Sequence, residues 1–288
     1  MWFGRPGAME ELPRPTGDLP HPADLLAGEH ALLGGGGAVD YPAGQPARRY
    51  TVNWQGITHD EWAALDAYTS RLRGYGPWAM LLPETRRNLL PATMAAGTEN
   101  GLTTGLSVAG GESLASSTAQ AYLGLRSLAW SLPASVSSGL LTLSHPVSAW
   151  YGWPSPVGLS WTLSAYVRSG GSDSSFDVRA RLRWLSVAGA TLSTSDGTYT
   201  AQSSGAWTRV SVTATAPAST AYVLPLLQVD GTDVSATATA YIDGVQLQTG
   251  ALTNLAGLGG SCVSIVEATH EMPTSDWHDV TWTLQEVG

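Results

Sequence analysis

Alternation of apolar and polar positions runs through most of the chain. In residues 49–54, Tyr50, Val52 and Trp54 alternate with Arg49, Thr51 and Asn53, the period of a half-buried strand. The stretch GLSWTLSAYVRS puts Trp161, Leu163, Ala165 and Val167 on one face. In FDVRARLRWLS, Phe176, Val178, Ala180, Leu182 and Trp184 share one face, and Asp177, Arg179, Arg181 and Arg183 the other. AWTRVSVTATA points Val210, Val212 and Ala214 inward and Trp207 and Arg209 outward, and STAYVLPLLQV and TATAYIDGVQLQTG continue the series. Many short strands separated by Gly, Ser and Pro turns predict a sandwich or jelly roll over residues 88–250.

One stretch breaks the period of two. In ITHDEWAALDAYTSRLRGYGPW, Trp62, Leu65, Tyr68 and Leu72 fall at helical spacing, which predicts a helix over 59–73 ended by Gly74. Thr58 and Glu61 form a capping box, Ile57 and Trp62 are placed as its hydrophobic staple, and Asp60 and Glu61 meet the positive end of the helix dipole. A helix start therefore accounts for the His59-Asp60-Glu61 run without metal or acid–base chemistry, and leaves His59 with no assigned part.

The flanks differ from the middle. Residues 1–47 are rich in Pro and Gly, including the run Gly34–Gly37, and read as extended strands and turns. After Gly250 a Gly-rich link leads to two last strands, CVSIVEA and DVTWTLQEVG, with Val280, Trp282 and Leu284 on one face. Two strands are not stable alone. The expected organisation is a discontinuous domain, 1–87 plus 251–288, interrupted by the β module at 88–250.

Composition narrows the function classes. The net charge is -9, all fourteen basic residues are arginine, and charged residues are only 13%. That balance argues against nucleic-acid binding, which needs a basic footprint. No apolar run approaches the length of a membrane span, so no membrane insertion is expected, and the N-terminal residues show no secretory signal pattern. The six histidines form no HxxxH or HExxH pair, and the single cysteine, Cys262, builds no thiolate site, so no cofactor is expected. No GxSxG is present, and the acidic residues of the module, including Glu112, Asp173, Asp177, Asp196, Asp230 and Asp233, fall mostly in turns. The chain reads as a non-enzyme.

The aromatics carry the remaining signal. Twelve Trp stand against two Phe. Trp offers a flat apolar face with a polar edge, which suits sugar stacking and wet interfaces. SAWYGWPSP gathers Trp150, Tyr151 and Trp153 in a loop, and Trp207 lies on an outward face; these four are the candidate carbohydrate-binding residues. Trp161 and Trp184 follow the apolar face and read as core. Arg179, Arg181 and Arg183 are interface candidates, because the guanidinium fork pairs with carboxylates and stacks on rings.

Two resemblances follow from these motifs. Residues 1–90 and 255–288 resemble the distal tail and minor tail proteins of long-tailed actinobacterial phages, through RRYTVNWQG, the capped helix opening THDEW, YGPWAMLLPETRRNLL and the ending WTLQEV. That resemblance implies a β-sandwich with one flanking helix, a baseplate ring of about six copies, and the tail tube, tail-tip hub and tape-measure proteins as partners, at the virion tail tip after assembly in the host cytoplasm. Residues 88–250 resemble a jelly-roll carbohydrate-binding module, through NLLPATMAAG, LSWTLSAYVR, AWTRVSVTATAPAST and AYIDGVQLQTG. It implies a host cell-wall glycan as ligand in host adsorption, and marks Asp243 as a weak candidate for a structural calcium ion. Here ATMAAGTENG is small and polar where that family has a Phe or Glu and a Trp. The competing expectation is a secreted bacterial glycan-binding protein or glycosidase accessory module.

Overall fold

Strand pairing decides where the two ends of the chain go. The computed structural model describes all residues except 17–26, 32–37, 43–48, 82–87, 96, 99–100, 109, 135–137, 171–175, 203, 231–236, 253–261, 275 and 287–288. The Gly34–Gly37 run, Asp173 and Asp233 therefore lie outside the described residues. The fold is mainly β. The chain forms two compact units, one of residues 1–5, 10–81 and 260–288, the other of 6–9 and 82–259. The short piece 6–9 belongs with the second unit.

The first unit contains β1 (Trp2–Arg5), the end of β2 (Ala8–Glu11), β3 (Ala27–Ala31), β4 (Ala38–Pro42), β5 (Arg49–Ile57), α1 (His59–Thr69), β6 (Trp78–Leu81), β19 (Cys262–Thr274) and β20 (Trp277–Glu286). The closing strands enter the N-terminal sheet, whose order is β2-β1-β6-β19-β20-β5, while β3 and β4 pair only with each other. The alternation expected in DVTWTLQEVG appears as buried Val280, Trp282 and Leu284. Their face meets Val52 and Trp54 of β5 across the register Val280↔Trp54 and Trp282↔Val52.

The helix packs on its own sheet, against β20. Thr58 Oγ1 accepts from Glu61 N–H while Glu61 returns to the Thr58 N–H at 2.9 Å, completing the capping box. Leu65 and Tyr68 are buried, and Tyr68 joins an aromatic core with Phe3 at 5.0 Å, Trp78 at 5.2 Å and Trp282 at 6.2 Å between centroids. Its hydroxyl donates to Phe3 O, and burial together with Glu10 pushes its pKa up to about 12. The helix ends at Thr69, four residues before the expected 73. Thr69 and Ser70 hydroxyls bond back to Asp66 O, and Arg71 takes φ +66, which turns Leu72 out to 80% exposure. His59 is not idle: it lies 5.1 Å from Trp62 and 5.4 Å from His278. The Trp62 ring stacks on His270 and His278, whose Nε2 and Nδ1 are 2.8 Å apart. Burial first, then His270 and His59, holds the His278 pKa below the usual histidine value.

The second unit is a two-sheet sandwich. It contains α2 (Ala92–Ala95, a single turn), β7 (Leu106–Ser107), β8 (Ser113–Ser117), β9 (Ser127–Leu132), β10 (Ser138–Leu143), β11 (Trp153–Pro154), β12 (Ser160–Ser169), β13 (Asp177–Leu185), β14 (Thr191–Asp196), β15 (Thr200–Ala201), β16 (Thr208–Thr215), β17 (Tyr222–Asp230) and β18 (Ala238–Thr249). One sheet follows β14-β13-β17-β10-β7, with β11 on β17 and β15 on β13; the other follows β16-β12-β18-β9-β8. Trp161, Leu163, Ala165 and Val167 of β12 and Val178, Ala180, Leu182 and Trp184 of β13 are buried. The NLL stretch fastens the start of the module to its last strand. The buried Asn88 amide donates to Val245 O and accepts from Leu247 N–H and Leu90 N–H, and Leu89 N–H donates to Leu247 O.

Tryptophan is the commonest large aromatic of the core, and Trp161 and Trp184 are buried as expected. Trp54, Trp78, Trp130, Trp153, Trp161, Trp184 and Trp282 are all buried, and most meet an acceptor for the indole N–H. Trp130 reaches Glu112, Trp161 reaches Ser155, Trp184 reaches Ser195 and Trp54 reaches Pro13 O. Among the described residues no helix is long and apolar enough to cross a membrane.

His145 is a buried histidine of the module, 4.7 Å from Trp150, with Nδ1 accepting from Val147 N–H. Burial lowers its pKa to about 3. The folded state thus holds it neutral while the unfolded chain protonates near pH 6.5. Its contribution is intact above pH 6.5 and lost as pH falls toward about 3, roughly 3 kcal/mol by pH 4. Urea unfolding of the wild type at pH 7 and pH 4 should show that loss, and His145→Asn should flatten it.

Candidate functional site

The outer face of the β16-β12-β18-β9-β8 sheet is polar, yet much of it is buried. Cross-strand pairing sets rows on this face: Thr213–Thr162–Gln248, Ser211–Ser164–Gln246, Arg209–Tyr166–Asp243 and Arg168–Tyr241. Thr162, Ser164, Gln246 and Gln248 have no solvent exposure. They satisfy one another: Thr162 Oγ1 lies 2.7 Å from Thr213 Oγ1, Arg209 Nη2 donates to Ser164 Oγ, and the Gln246 amide donates to Gln248. Solvent reaches this face through the exposed Tyr122 and the half-buried Tyr166, Arg168, Trp207, Arg209 and Tyr241.

The rings gather at one end of this face. Tyr122 stacks on Tyr166 at 3.8 Å with a 19° interplanar angle, and Trp207 lies 5.9 Å from Tyr122. The Arg209 guanidinium sits 5.5 Å over the Tyr166 ring. The hydrogen bond with Tyr166, ahead of burial, raises the Tyr122 hydroxyl above the usual phenol range. Tyr241 packs over Gly170, where a Cβ would come within 2.5 Å of the ring.

Asp243 holds this cluster together. A β-bulge puts one extra residue in β18 between Asp243 and Gln246, with Gly244 at φ +54. Asp243 is completely buried. One carboxylate oxygen accepts from Tyr122 N–H and Leu123 N–H, both at 2.8 Å, and the other from Gly244 N–H at 2.6 Å. The carboxylate thereby pins the loop that carries Tyr122. Gly97 is required beside it, because a Cβ there would stand 2.7 Å from Asp243 Oδ1. Three N–H groups meet the Asp243 carboxylate, and among the described residues no three His, Cys, Asp or Glu form a metal-holding group. In the structure the calcium candidate Asp243 accepts from these backbone amides.

The sequence candidates scatter. Only Trp207 belongs to this ring cluster. Trp153 is fully buried in β11 and donates to Leu89 O, so it cannot stack on a ligand. Trp150 is half-buried against Leu185, Ala221 and Tyr222; Tyr151 is 55% exposed and meets Tyr222 edge-on at 5.8 Å. Both lie beside the opposite sheet, whose β11 and β17 carry Trp153 and Tyr222. The arginine stripe is largely spent within the chain. Arg179 and Arg181 share Asp196 at 2.9 and 2.5 Å, and Arg179 also bonds Gln228 and stacks 4.2 Å over Tyr199. Arg181 first and Arg179 hold the Asp196 pKa below the usual carboxylate range. Arg183, opposite Leu224, completes the stripe. Tyr122, Tyr166, Arg168, Arg209 and Tyr241 were missed. Outward polar positions on β12, β16 and β18 were visible in the alternation, but the register that aligns them was not.

No protein-family model matches this chain, and no curated protein matches it. Several solved structures are similar in part. The CBM22-1 xylan-binding domain of Paenibacillus barcinonensis Xyn10C aligns over 55% of this chain and 94% of its own, at 18% identity and TM-score 0.41. The CBM22-1–GH10 modules of Clostridium thermocellum xylanase 10B, complexed with xylohexaose, align over 57% and 30%, at 16% identity and TM-score 0.43. The enzymatically active domain of bacteriophage CBA120 tailspike protein 4 aligns over 58% and 22%, at 10% identity and TM-score 0.40. No function is carried over from these similarities.

Replacing Asp243 by Ala should leave the buried Gly244 N–H and the part-buried Tyr122 and Leu123 N–H groups without this acceptor and destabilise the module by about 3 kcal/mol. Urea unfolding measures it. The wild-type melting temperature should not move when EDTA replaces calcium in the buffer.

Proposed function

We propose that the second unit binds polysaccharide on the outer face of its five-stranded sheet. The observation that carries this reading is the Tyr122–Tyr166–Trp207 cluster beside a row of buried Ser, Thr and Gln side chains. Rings stack on the apolar C–H faces of a sugar, while the buried hydroxyls and amides bond one another beneath the rings and hold the strands that carry them. The site binds and does not turn over ligand. Affinity electrophoresis through gels containing bacterial wall polysaccharide tests it. Retardation should fall about tenfold, ~1.4 kcal/mol, in Tyr122→Ala and in Trp207→Ala, with Trp150→Ala unchanged. Equal retardation of all variants would remove the site.

We further propose that the chain is a structural protein of a phage tail tip, with the first unit forming a ring and the module held at its periphery. Exposed apolar side chains in the first unit support this reading: Tyr75 and Val266 line one groove of about 600 Å³, and Leu72, Met272 and Trp277 are also exposed. Burial between about six copies would cover such residues and convert weak sugar contacts into avidity. The tail tube, hub and tape-measure proteins are the proposed neighbours. Light scattering after gel filtration should show concentration-dependent association that Val266→Lys weakens. A monomer at every concentration that still binds glycan would favour the secreted glycan-binding alternative.

A further inference from the structure

The proposed polysaccharide site holds two guanidiniums that no described residue pairs with in an ion pair, and we infer that its ligand is an acidic polysaccharide. This rests on the polysaccharide reading above and narrows it to a class. Arg209 lies directly across from Tyr166 on the neighbouring strand, and Arg168 lies two residues along on the same face of β12. Two cations therefore flank one ring of the cluster.

Three observations point to an anion between them. First, the Nε of Arg168 and the Nε of Arg209 are buried and have no hydrogen-bond partner among the described residues. A buried guanidinium donor without an acceptor is a standing cost to the fold unless something else supplies the acceptor. Second, the carboxylate of the same row, Asp243, is committed to the amides of Tyr122, Leu123 and Gly244. Third, none of the ion pairs among the described residues includes Arg168 or Arg209, although acidic residues outnumber basic ones, 23 to 14. The opposite sheet shows what this chain does when an arginine is only structural: Arg179 and Arg181 close on Asp196.

The chemistry of the match is shared by carboxylate, sulfate and phosphodiester. Each presents paired anionic oxygens that fit the planar guanidinium fork. A sugar ring stacked on Tyr122 or Trp207 would bring such a substituent toward Arg168 and Arg209. A neutral polymer would fill the ring cluster and leave both Nε donors unmet.

The full chain is run by affinity electrophoresis in gels holding polygalacturonate, chondroitin sulfate, glycerol-phosphate teichoic acid, or the neutral polymers dextran and galactan. At least one acidic polymer should retard it and the neutral ones should not. Which acidic polymer acts tells carboxylate, sulfate and phosphodiester apart. Raising NaCl from about 50 to about 500 mM should weaken binding roughly tenfold or more. Arg168→Gln and Arg209→Gln should each weaken it roughly tenfold. Arg168→Lys and Arg209→Lys, which keep the charge and lose the fork, should fall between wild type and the Gln variants, and they serve if a Gln variant fails to fold. Salt-insensitive binding of neutral and acidic polymers alike would overturn the acidic ligand and leave the polysaccharide reading standing. Binding of no polymer would overturn both.

Discussion

A single buried carboxylate organises the ring cluster at one end of the module's five-stranded sheet. Asp243 lies in the interior of a sheet, where an unpaired charge would be prohibitive. It is tolerated because a bulge at Gly244 turns one amide onto it and the loop at 122–123 brings two more. The exchange works in both directions. The amides stabilise the charge, and the charge holds the loop so that Tyr122 lies flat on Tyr166. Gly97 belongs to the same constraint, since any side chain there would displace the carboxylate.

The two units answer the same packing problem with the same residue. With only two Phe in the chain, most of the large flat side chains in the two cores are tryptophans. Each brings an indole N–H that needs an acceptor, and most find one in a carbonyl, a hydroxyl or Glu112. Trp282 is the exception: its Nε1 is buried without a partner among the described residues, in the aromatic core of the first unit with Phe3, Trp54 and Tyr68. That core is dense enough in ring contacts to hold the helix on the sheet.

The sandwich separates arginines by what faces them. On the seven-stranded sheet, Asp196 at a strand end lies within reach of both Arg179 and Arg181, so their charge is met inside the chain. On the five-stranded sheet, the row across Tyr166 offers an arginine on one side and an occupied carboxylate on the other. Similar alternation in the two strands therefore gives an ion-pair face in one place and, among the described residues, arginines without an ion-pair partner in the other.

The sequence alone determined what depends on near neighbours. Period-two alternation fixed the mainly β fold and the buried faces of β12, β13 and β20, because successive side chains must point to opposite sides of a strand. Thr58 and Glu61 are three residues apart, so the helix start was legible; its end was not, because hydroxyls returning to Asp66 and a left-handed Arg71 stopped it before Gly74. Only the tertiary structure decided the site. Tyr122 meets Asp243 across 121 positions, and Tyr166 meets Arg209 through strand register. A loop rich in aromatics, as at Trp150–Trp153, carries no sign of which ring will be buried. Burial and convergence are set by pairing between distant strands, and alternation within a strand is blind to register.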